Sequence, residues 1–146
     1  MAITASIEIA RRPEDVFAYL DQLARHGEWQ EQIVRVTSVS DGPTRAGTRA
    51  TEVRLVGGRE RTMTYEVTEH DPPRRVAFRG IDGPVRPVGE VTLEPVGEGT
   101  RVTLQLDLVG HGLLGKAFAP LARTQASKEV PKDQQRLKER LESGSA

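Results

Sequence analysis

Three histidines, His26, His70 and His111, are the side chains best suited to acid–base or metal chemistry. None of them forms an HxH or HExxH spacing, so the sequence gives no local support for a metal site. The chain has no cysteine and no GxSxG motif, which removes thiolate nucleophiles and the usual serine-hydrolase signature. We therefore predict no metal and no cofactor. We expect each histidine to be an exposed turn residue, with His26 the best placed for pocket chemistry.

Tyr65, Arg49 and Arg79 are the other candidates for chemistry. Tyr65 is predicted on the apolar face of a central strand, where its hydroxyl must find a partner or point into a ligand space. Arg49 would share that face through a pairing with Val67, and Arg79 follows Phe78 beside a loop. Because an unpaired charge in a dry core is costly, an arginine lining a cavity would favour an acidic or carbonyl-bearing ligand. The alternative is a core tyrosine bonded to backbone or water, with both arginines at strand ends in solvent.

Composition excludes several classes of protein. The 146 residues are 36% hydrophobic and 29% charged, with 21 basic and 21 acidic side chains. This balance argues against nucleic-acid binding, which usually needs a basic excess. No stretch approaches the roughly 20 apolar residues that span a bilayer, so we predict no integral membrane segment and a cytoplasmic location. We expect one domain over residues 1–142, a disordered tail over 143–146, and a monomer or homodimer.

The elements that must position these side chains follow from periodicity. Residues 3–10 alternate apolar and polar, which predicts a half-buried strand. Pro13, followed by two acidic residues, predicts the start of a short helix, and a polar turn with the only tryptophan, Trp29, comes next. From residue 33 to 108 the chain reads as six Val- and Thr-rich strands separated by Gly and Pro turns. The short turns predict seven antiparallel strands in total.

Two hairpins allow the register to be predicted. A three-residue loop over 57–59 would pair Met63 with Val53 and Tyr65 with Thr51. We predict this loop because it keeps the apolar residues on one face.

The second hairpin, at residues 97–98, is predicted to have a two-residue turn that pairs Leu93 with Val102 and Val91 with Leu104. One sheet face then carries the apolar side chains and needs a cover. That predicted face consists of Val53, Met63, Tyr65, Val67, Val76, Phe78, Val91, Leu93, Val102, Leu104 and Leu106.

The C-terminal segment is predicted to be the helix that covers this sheet. Pro120 and Pro131 lie inside it. Because an interior proline costs about 3 kcal/mol, we expect a break before Pro120 or a kink near Val130. The predicted covering side chains are Leu114, Phe118, Leu121, Gln125, Leu137 and Leu141.

This order of elements resembles the helix-grip fold of the START and Bet v 1-like (SRPBCC) superfamily. Within it, the chain most resembles the bacterial polyketide cyclase/dehydrase and lipid-transport branch. The segments that carry the resemblance are IARRPEDVFAYLDQLARHGEWQ, HDPPRRVAFRG, GEGTRVTLQLDL and LKERLE. It covers about residues 3–142 and implies an α+β fold in which a seven-stranded curved antiparallel sheet wraps around a long C-terminal helix. Two short helices stand between strands 1 and 2.

The resemblance also implies a cavity between the sheet and the C-terminal helix, with Trp29 as its wall or lid. Three functions stay open. The first is binding of a hydrophobic or aromatic small molecule, such as a lipid, quinone or polyketide-like compound. The second is a polyketide cyclase, aromatase or dehydratase, and the third is a protein-interaction module with a filled core. The predicted lining residues are Trp29, Val53, Met63, Tyr65, Phe78, Leu104, Leu106 and Phe118.

Overall fold

A computed structural model describes residues 2–146 and has the predicted helix-grip architecture. All seven predicted strands are present, with two short helices after the first and one long helix at the end. The elements are β1 (Ile3–Ile9), α1 (Pro13–Leu20), a 3₁₀ helix (Leu23–Glu28), β2 (Ile33–Val39), β3 (Arg49–Val56), β4 (Arg59–Asp71), β5 (Arg75–Gly80), β6 (Val85–Val96), β7 (Gly99–Gly110) and α2 (Gly112–Glu142).

The strands form one antiparallel sheet in the order β1-β7-β6-β5-β4-β3-β2. Each strand after β2 pairs with its sequence neighbour, as short turns require. The first strand instead pairs with the last, with Ile7 opposite Val102. We call the face that packs against the helices the inner face. The helix α2 packs against β1, β7 and β6, so it covers one half of this face.

The main core lies where α1 and the end of α2 meet the inner face. Val16 and Phe17 from α1 pack there with Leu93 of β6 and with Leu137 and Leu141 of α2. A second cluster joins Leu23 of the 3₁₀ helix to β3 and β4. The 3₁₀ helix, which also contacts β2, therefore covers part of the sheet that α2 leaves uncovered.

The predicted three-residue loop between β3 and β4 is wrong. The turn has two residues, Gly57 and Gly58, with φ of 59° and 79°. Two successive positive φ values define a type I′ turn, whose twist matches that of a hairpin. Met63 therefore pairs with Glu52, and Val53 pairs with Thr62 on the outer face.

The same register moves Arg49 and Tyr65 relative to the prediction. Tyr65 pairs with Ala50 on the inner face, whereas Arg49 pairs with Glu66 on the outer face. The predicted pairing of Arg49 with Val67 is wrong because a shift of one residue sends a side chain to the other face. The β6–β7 prediction is confirmed, since Leu93 pairs with Val102 and Val91 with Leu104.

The helix α2 is continuous from Gly112 to Glu142 and includes both prolines, so the predicted break before Pro120 is wrong. A proline frees the carbonyl four residues earlier, and these carbonyls belong to Lys116 and Ser127. Both residues are exposed, so water can bond to the freed groups. Within residues 2–146, none of the helices is long and apolar enough to cross a membrane.

The first half of α2 presents a different stripe to the sheet from the one predicted. Gly115 and Ala119 are buried, whereas Leu114, Phe118 and Leu121 are exposed. A Cβ on Gly115 would lie 2.0 Å from the Pro84 carbonyl oxygen, so only glycine permits this close contact. Large side chains are turned away because the helix approaches the β5–β6 loop too closely to admit them.

Candidate ligand-binding site

A buried ion pair lies on the inner face of β3. Glu52 is only 2% exposed, and the Arg54 Nη1 donates to Glu52 Oε1 at 2.9 Å. The same nitrogen donates to Gln30 Oε1, also at 2.9 Å, from the turn after the 3₁₀ helix. Because a buried carboxylate is tolerated only when it is paired and hydrogen-bonded, these contacts fix a polar group inside an otherwise apolar sheet face.

Tyr65 lies beside this pair and has no hydrogen-bond partner for its hydroxyl among the residues that the structure describes. Its ring packs edge-on against Phe78, with centroids 6.1 Å apart. Burial, and secondarily the negative charge of Glu52, raise the pKa of the Tyr65 hydroxyl. The group therefore keeps its proton and can donate a hydrogen bond to a ligand.

His26 and Trp29 form the wall at the 3₁₀ helix. The His26 Nε2–H donates to the Leu20 carbonyl oxygen at 2.8 Å, and the imidazole meets the Trp29 ring edge-on at 5.3 Å. Burial lowers the pKa of His26, so the ring is neutral near pH 7 and its Nδ1 is an acceptor. Trp29 packs against the main core, and its buried Nε1 has no partner within residues 2–146.

The opposite wall is α2, which carries the buried Asp133. Arg136 Nη1 donates to Asp133 Oδ1 at 3.1 Å, and Arg136 Nη2 binds Glu31, which ties α2 to the turn before β2. Burial raises the pKa of Asp133 from 3.8 to about 6, although the charge of Arg54, a hydrogen bond from the Glu31 backbone and Arg136 oppose the shift. The charge of Arg54 on β3 therefore acts on Asp133 of α2.

Asp133 should make the stability of the protein depend on pH. Its folded-state pKa lies above its ordinary value, so the folded state binds the proton more tightly and stability falls as pH rises from about 4 to about 6. Asp133→Asn has no proton to lose, and we expect it to remove about 2 kcal/mol of this fall, measured by urea unfolding across that range. His26 contributes the opposite slope in both proteins, so it cancels in the difference. Identical slopes would contradict this assignment of the proton.

We call the side chains of Glu52, Arg54, Tyr65 and His26 the polar cluster. These groups interact electrostatically and lie next to half-buried apolar side chains. The charges of Glu52 and Arg54 act on both Tyr65 and His26. Half-buried apolar side chains continue the inner face toward β7, and these are Met63, Phe78, Leu104 and Leu106. A separate groove of about 370 Å³ lies between the turn at residues 31–32 and the flank of α2 that carries Leu121, and none of these four side chains lines it.

Several predicted site residues lie elsewhere. Arg49 and Arg79 are on the outer face, where their guanidinium groups bind different oxygens of Glu66 at 3.0 and 3.5 Å. Val53 is also on the outer face, and Phe118 is half exposed on α2. Both arginines are therefore far from the cluster, because the observed register places them across the sheet.

The expectation that all three histidines are exposed turn residues is correct only for His111, which precedes α2. His26 is half-buried in the 3₁₀ helix. His70 lies in β4, where its Nε2 is 2.9 Å from both carboxylate oxygens of Asp21. A register shift after Val67 in β4 turns His70 to the inner face, where it meets the end of α1.

Four polar residues of the site were missed in the sequence, namely Gln30, Glu52, Arg54 and Asp133. Glu52 and Arg54 stand on either side of Val53 in the sequence. The hairpin register alone therefore decides whether Val53 or the charged pair points inward. The Gly57–Gly58 dipeptide was the available signal, since adjacent glycines favour a two-residue type I′ turn. No local pattern marks Asp133, whose burial depends on how α2 meets residue 31.

The similarity to known proteins extends over nearly the whole chain. The chain matches the family described as polyketide cyclase/dehydrase and lipid transport over residues 1–142. An uncharacterised protein of Mycobacterium tuberculosis, Rv1546, is 29% identical over 126 residues, covering 84% of this chain and 86% of that protein.

Solved structures share the fold at low sequence identity. TTHA0849 of Thermus thermophilus superposes with a TM-score of 0.78 at 24% identity, over 100% of both chains. The Zhui aromatase/cyclase of Streptomyces sp. R1128 gives 0.79 at 14% identity, over 100% of this chain and 96% of its own. A START superfamily protein of Mycobacterium smegmatis gives 0.79 at 13%, over 97% of each chain. On the family match, which runs from residue 1 to 142, this chain belongs to the polyketide cyclase/dehydrase and lipid-transport family.

Proposed function

We propose that this protein binds one hydrophobic or flat aromatic molecule between the inner face of the sheet and α2. The observation that carries the proposal is the Tyr65 hydroxyl, which is surrounded by half-buried apolar side chains yet has no partner among the described residues. The Tyr65 side chain is largely buried, but its oxygen is not fully enclosed, so a ligand oxygen could reach it and accept its hydrogen bond. Family membership supports ligand binding or cyclase function in general.

The polar cluster indicates how a ligand would be oriented. Tyr65 offers a donor, the neutral His26 offers an acceptor at Nδ1, and Arg54 has N–H groups beyond the one bonded to Glu52 and Gln30. A ligand with carbonyl or phenolic oxygens at one end and an apolar body would satisfy these groups. Mostly apolar pockets with a few orienting polar groups are typical of such sites.

The proposed lining keeps most of the sequence-based set. Val53 is left out because it lies on the outer face. Phe118 is placed at the entrance of the proposed binding site because it is half exposed. The side chains proposed to line the site are Trp29, Met63, Tyr65, Phe78, Leu104 and Leu106, together with Arg54 and His26.

Tyr65→Phe is expected to weaken binding of an oxygen-bearing aromatic ligand by about fivefold, the equivalent of one net hydrogen bond of about 1 kcal/mol. The emission of Trp29, the only tryptophan, would be followed while the protein is titrated with a fatty acid, a naphthoquinone and a polyphenolic anthraquinone. Trp29→Phe provides the blank for inner-filter quenching by the coloured compounds.

Thr51→Val is the matched control, because it removes a hydroxyl from the outer face, where Thr51 bonds to Thr64 at 2.8 Å. It should leave the affinity unchanged. If no compound quenches Trp29 saturably, or if both variants weaken binding equally, the proposed site is wrong. Emission that no compound changes would instead favour an interaction module with a filled core.

A cyclase-type activity is the second candidate, and the convergence of acidic, basic and phenolic groups favours it. Arg54 and Tyr65 could stabilise an enolate oxygen, and the neutral His26 could accept a proton. Incubation of the protein with a poly-β-keto probe, followed by analysis of the recovered compound, separates the two functions. Recovery of a poly-β-keto probe unchanged from the protein supports binding alone, whereas a new aromatic product that Tyr65→Phe loses supports a cyclase.

A further inference from the structure

The first half of α2 carries an uncovered apolar surface. Leu113 is 91% exposed, Leu114 62%, Leu121 67% and Phe118 50%. Leu114, Phe118 and Leu121 recur at intervals of four and three residues, so they form one stripe along the helix. Single exposed apolar side chains are ordinary, but a continuous stripe of this size marks a surface that contacts something apolar.

The tip of the β3–β4 hairpin adds to this surface. Leu55 and Val56 are exposed immediately before the turn. The register places this tip, the β5–β6 loop and the start of α2 at the same end of the sheet, because Tyr65 pairs with Gly80 and Val85 with Gly110. Six of the exposed large apolar residues therefore lie toward this end of the molecule, and Leu121 among them also lines the groove. They are Leu55, Val56, Leu113, Leu114, Phe118 and Leu121.

Basic side chains without a salt-bridge partner surround these residues, although the chain as a whole is neutral, and Glu60 at the hairpin tip is paired with Arg35. Residues 108–128 contain no Asp or Glu. Lys116, Lys128 and Lys132 have no salt-bridge partner anywhere in residues 2–146, and neither have Arg59 and Arg61 at the hairpin tip. Glu129 is the acidic residue on this part of α2, and Gln125 donates a hydrogen bond to it.

We propose that this end of the molecule docks on the surface of an anionic lipid bilayer. The apolar stripe of α2 and the hairpin tip enter the boundary between headgroups and acyl chains, while the lysines and arginines contact lipid phosphates. An amphipathic helix with an apolar face and basic flanks binds membranes in this manner. The opening of the groove then faces the bilayer. Docking itself requires no ligand and does not depend on the proposed binding site.

A second copy of the chain fits this surface less well. A two-fold interface is self-complementary, so each copy would meet the same patch on its partner. The lysines of one copy would then face lysines of the other, with no carboxylate in residues 108–128 to compensate them. Lipid headgroups supply the negative charge that the patch itself lacks.

Co-sedimentation with vesicles tests the proposal on the full chain without ligand. We expect binding to vesicles of phosphatidylcholine with phosphatidylglycerol, little binding to phosphatidylcholine alone, and loss of binding at high salt. Leu114→Gln with Phe118→Gln should lower the partition coefficient more than about tenfold, because two apolar side chains no longer enter the bilayer. Lys116→Gln with Lys128→Gln should lower it about 25-fold, or about fivefold per lysine.

Val88→Gln is the control, since Val88 is an exposed apolar residue that pairs with Asp107 on the outer face. It should bind vesicles as the wild type does, and circular dichroism should show all variants folded. Failure of the wild-type protein to bind anionic vesicles overturns the proposal, as does equal binding by all variants. A dimer that Leu114→Gln with Phe118→Gln dissociates, without vesicle binding, would assign the surface to a second copy instead.

Discussion

Replacing Arg54 with methionine is expected to lower the free energy of unfolding by about 3 kcal/mol, because it leaves a buried carboxylate without its cation. Glu52 has a side chain that is only 3% exposed, and Arg54 is its salt-bridge partner. The methionine keeps the volume of the aliphatic stem, so the expected loss arises from charge rather than packing. Urea unfolding of the two proteins at neutral pH measures the difference.

Two further variants make this result specific. Glu52→Gln with Arg54→Met removes both charges, and we expect it to be more stable than Arg54→Met alone. Arg49→Met breaks an ion pair with Glu66 in which the arginine is 59% exposed, so its effect should stay below about 1 kcal/mol. Equal losses for Arg54→Met and Arg49→Met would mean that the inner-face pair has no special role.

Leu137→Ala is expected to lower the free energy of unfolding by about 3 kcal/mol. Leu137 is 1% exposed and packs with Val16 and Phe17 of α1 and with Leu93 of β6. Truncation leaves a cavity at the point where α2, α1 and the sheet meet, and the surrounding side chains can collapse into it only partly. Thermal or urea unfolding gives the value.

Leu121→Ala is the matched control in the same helix. It removes the same atoms from a side chain that contributes to the exposed stripe, and alanine has the higher helix propensity. We expect a change within about 0.5 kcal/mol. A large loss at Leu121 would mean that the first half of α2 is covered in solution and would contradict its exposure here.

Much of the fold could be predicted from the sequence because the patterns are local. Alternation over residues 3–10 and the run of Val- and Thr-rich segments predicted seven strands, and all seven are present. The β6–β7 register was predicted correctly because only one turn length kept Leu93 opposite Val102. At the β3–β4 hairpin both turn lengths were possible, and preference for an all-apolar face selected the wrong one.

The candidate site could be predicted only in part, because its polar members depend on that register. Tyr65 was assigned to the inner face correctly, since it lies in one apolar alternation with Met63 and Val67. The predicted register placed Val53 on the inner face, whereas the observed register places its neighbours Glu52 and Arg54 there. Glu52 and Arg54 can lie on the inner face because they pair with each other and because Arg54 also donates to Gln30. The contact with Gln30 cannot be predicted from the sequence of β3 alone.

The sequence by itself determined the number and order of the elements and the family, because hydrophobic period and turn residues act over a few neighbouring positions. Only the tertiary structure decided which face of β3 points inward and which stripe of α2 is buried. The first depends on a one-residue choice of register, which exchanges the faces of a strand. The second depends on how closely α2 approaches Pro84, where Gly115 fits and a larger residue does not. As a result, Glu52 and Arg54 lie on the inner face of the sheet, and the apolar stripe of α2 is exposed to solvent.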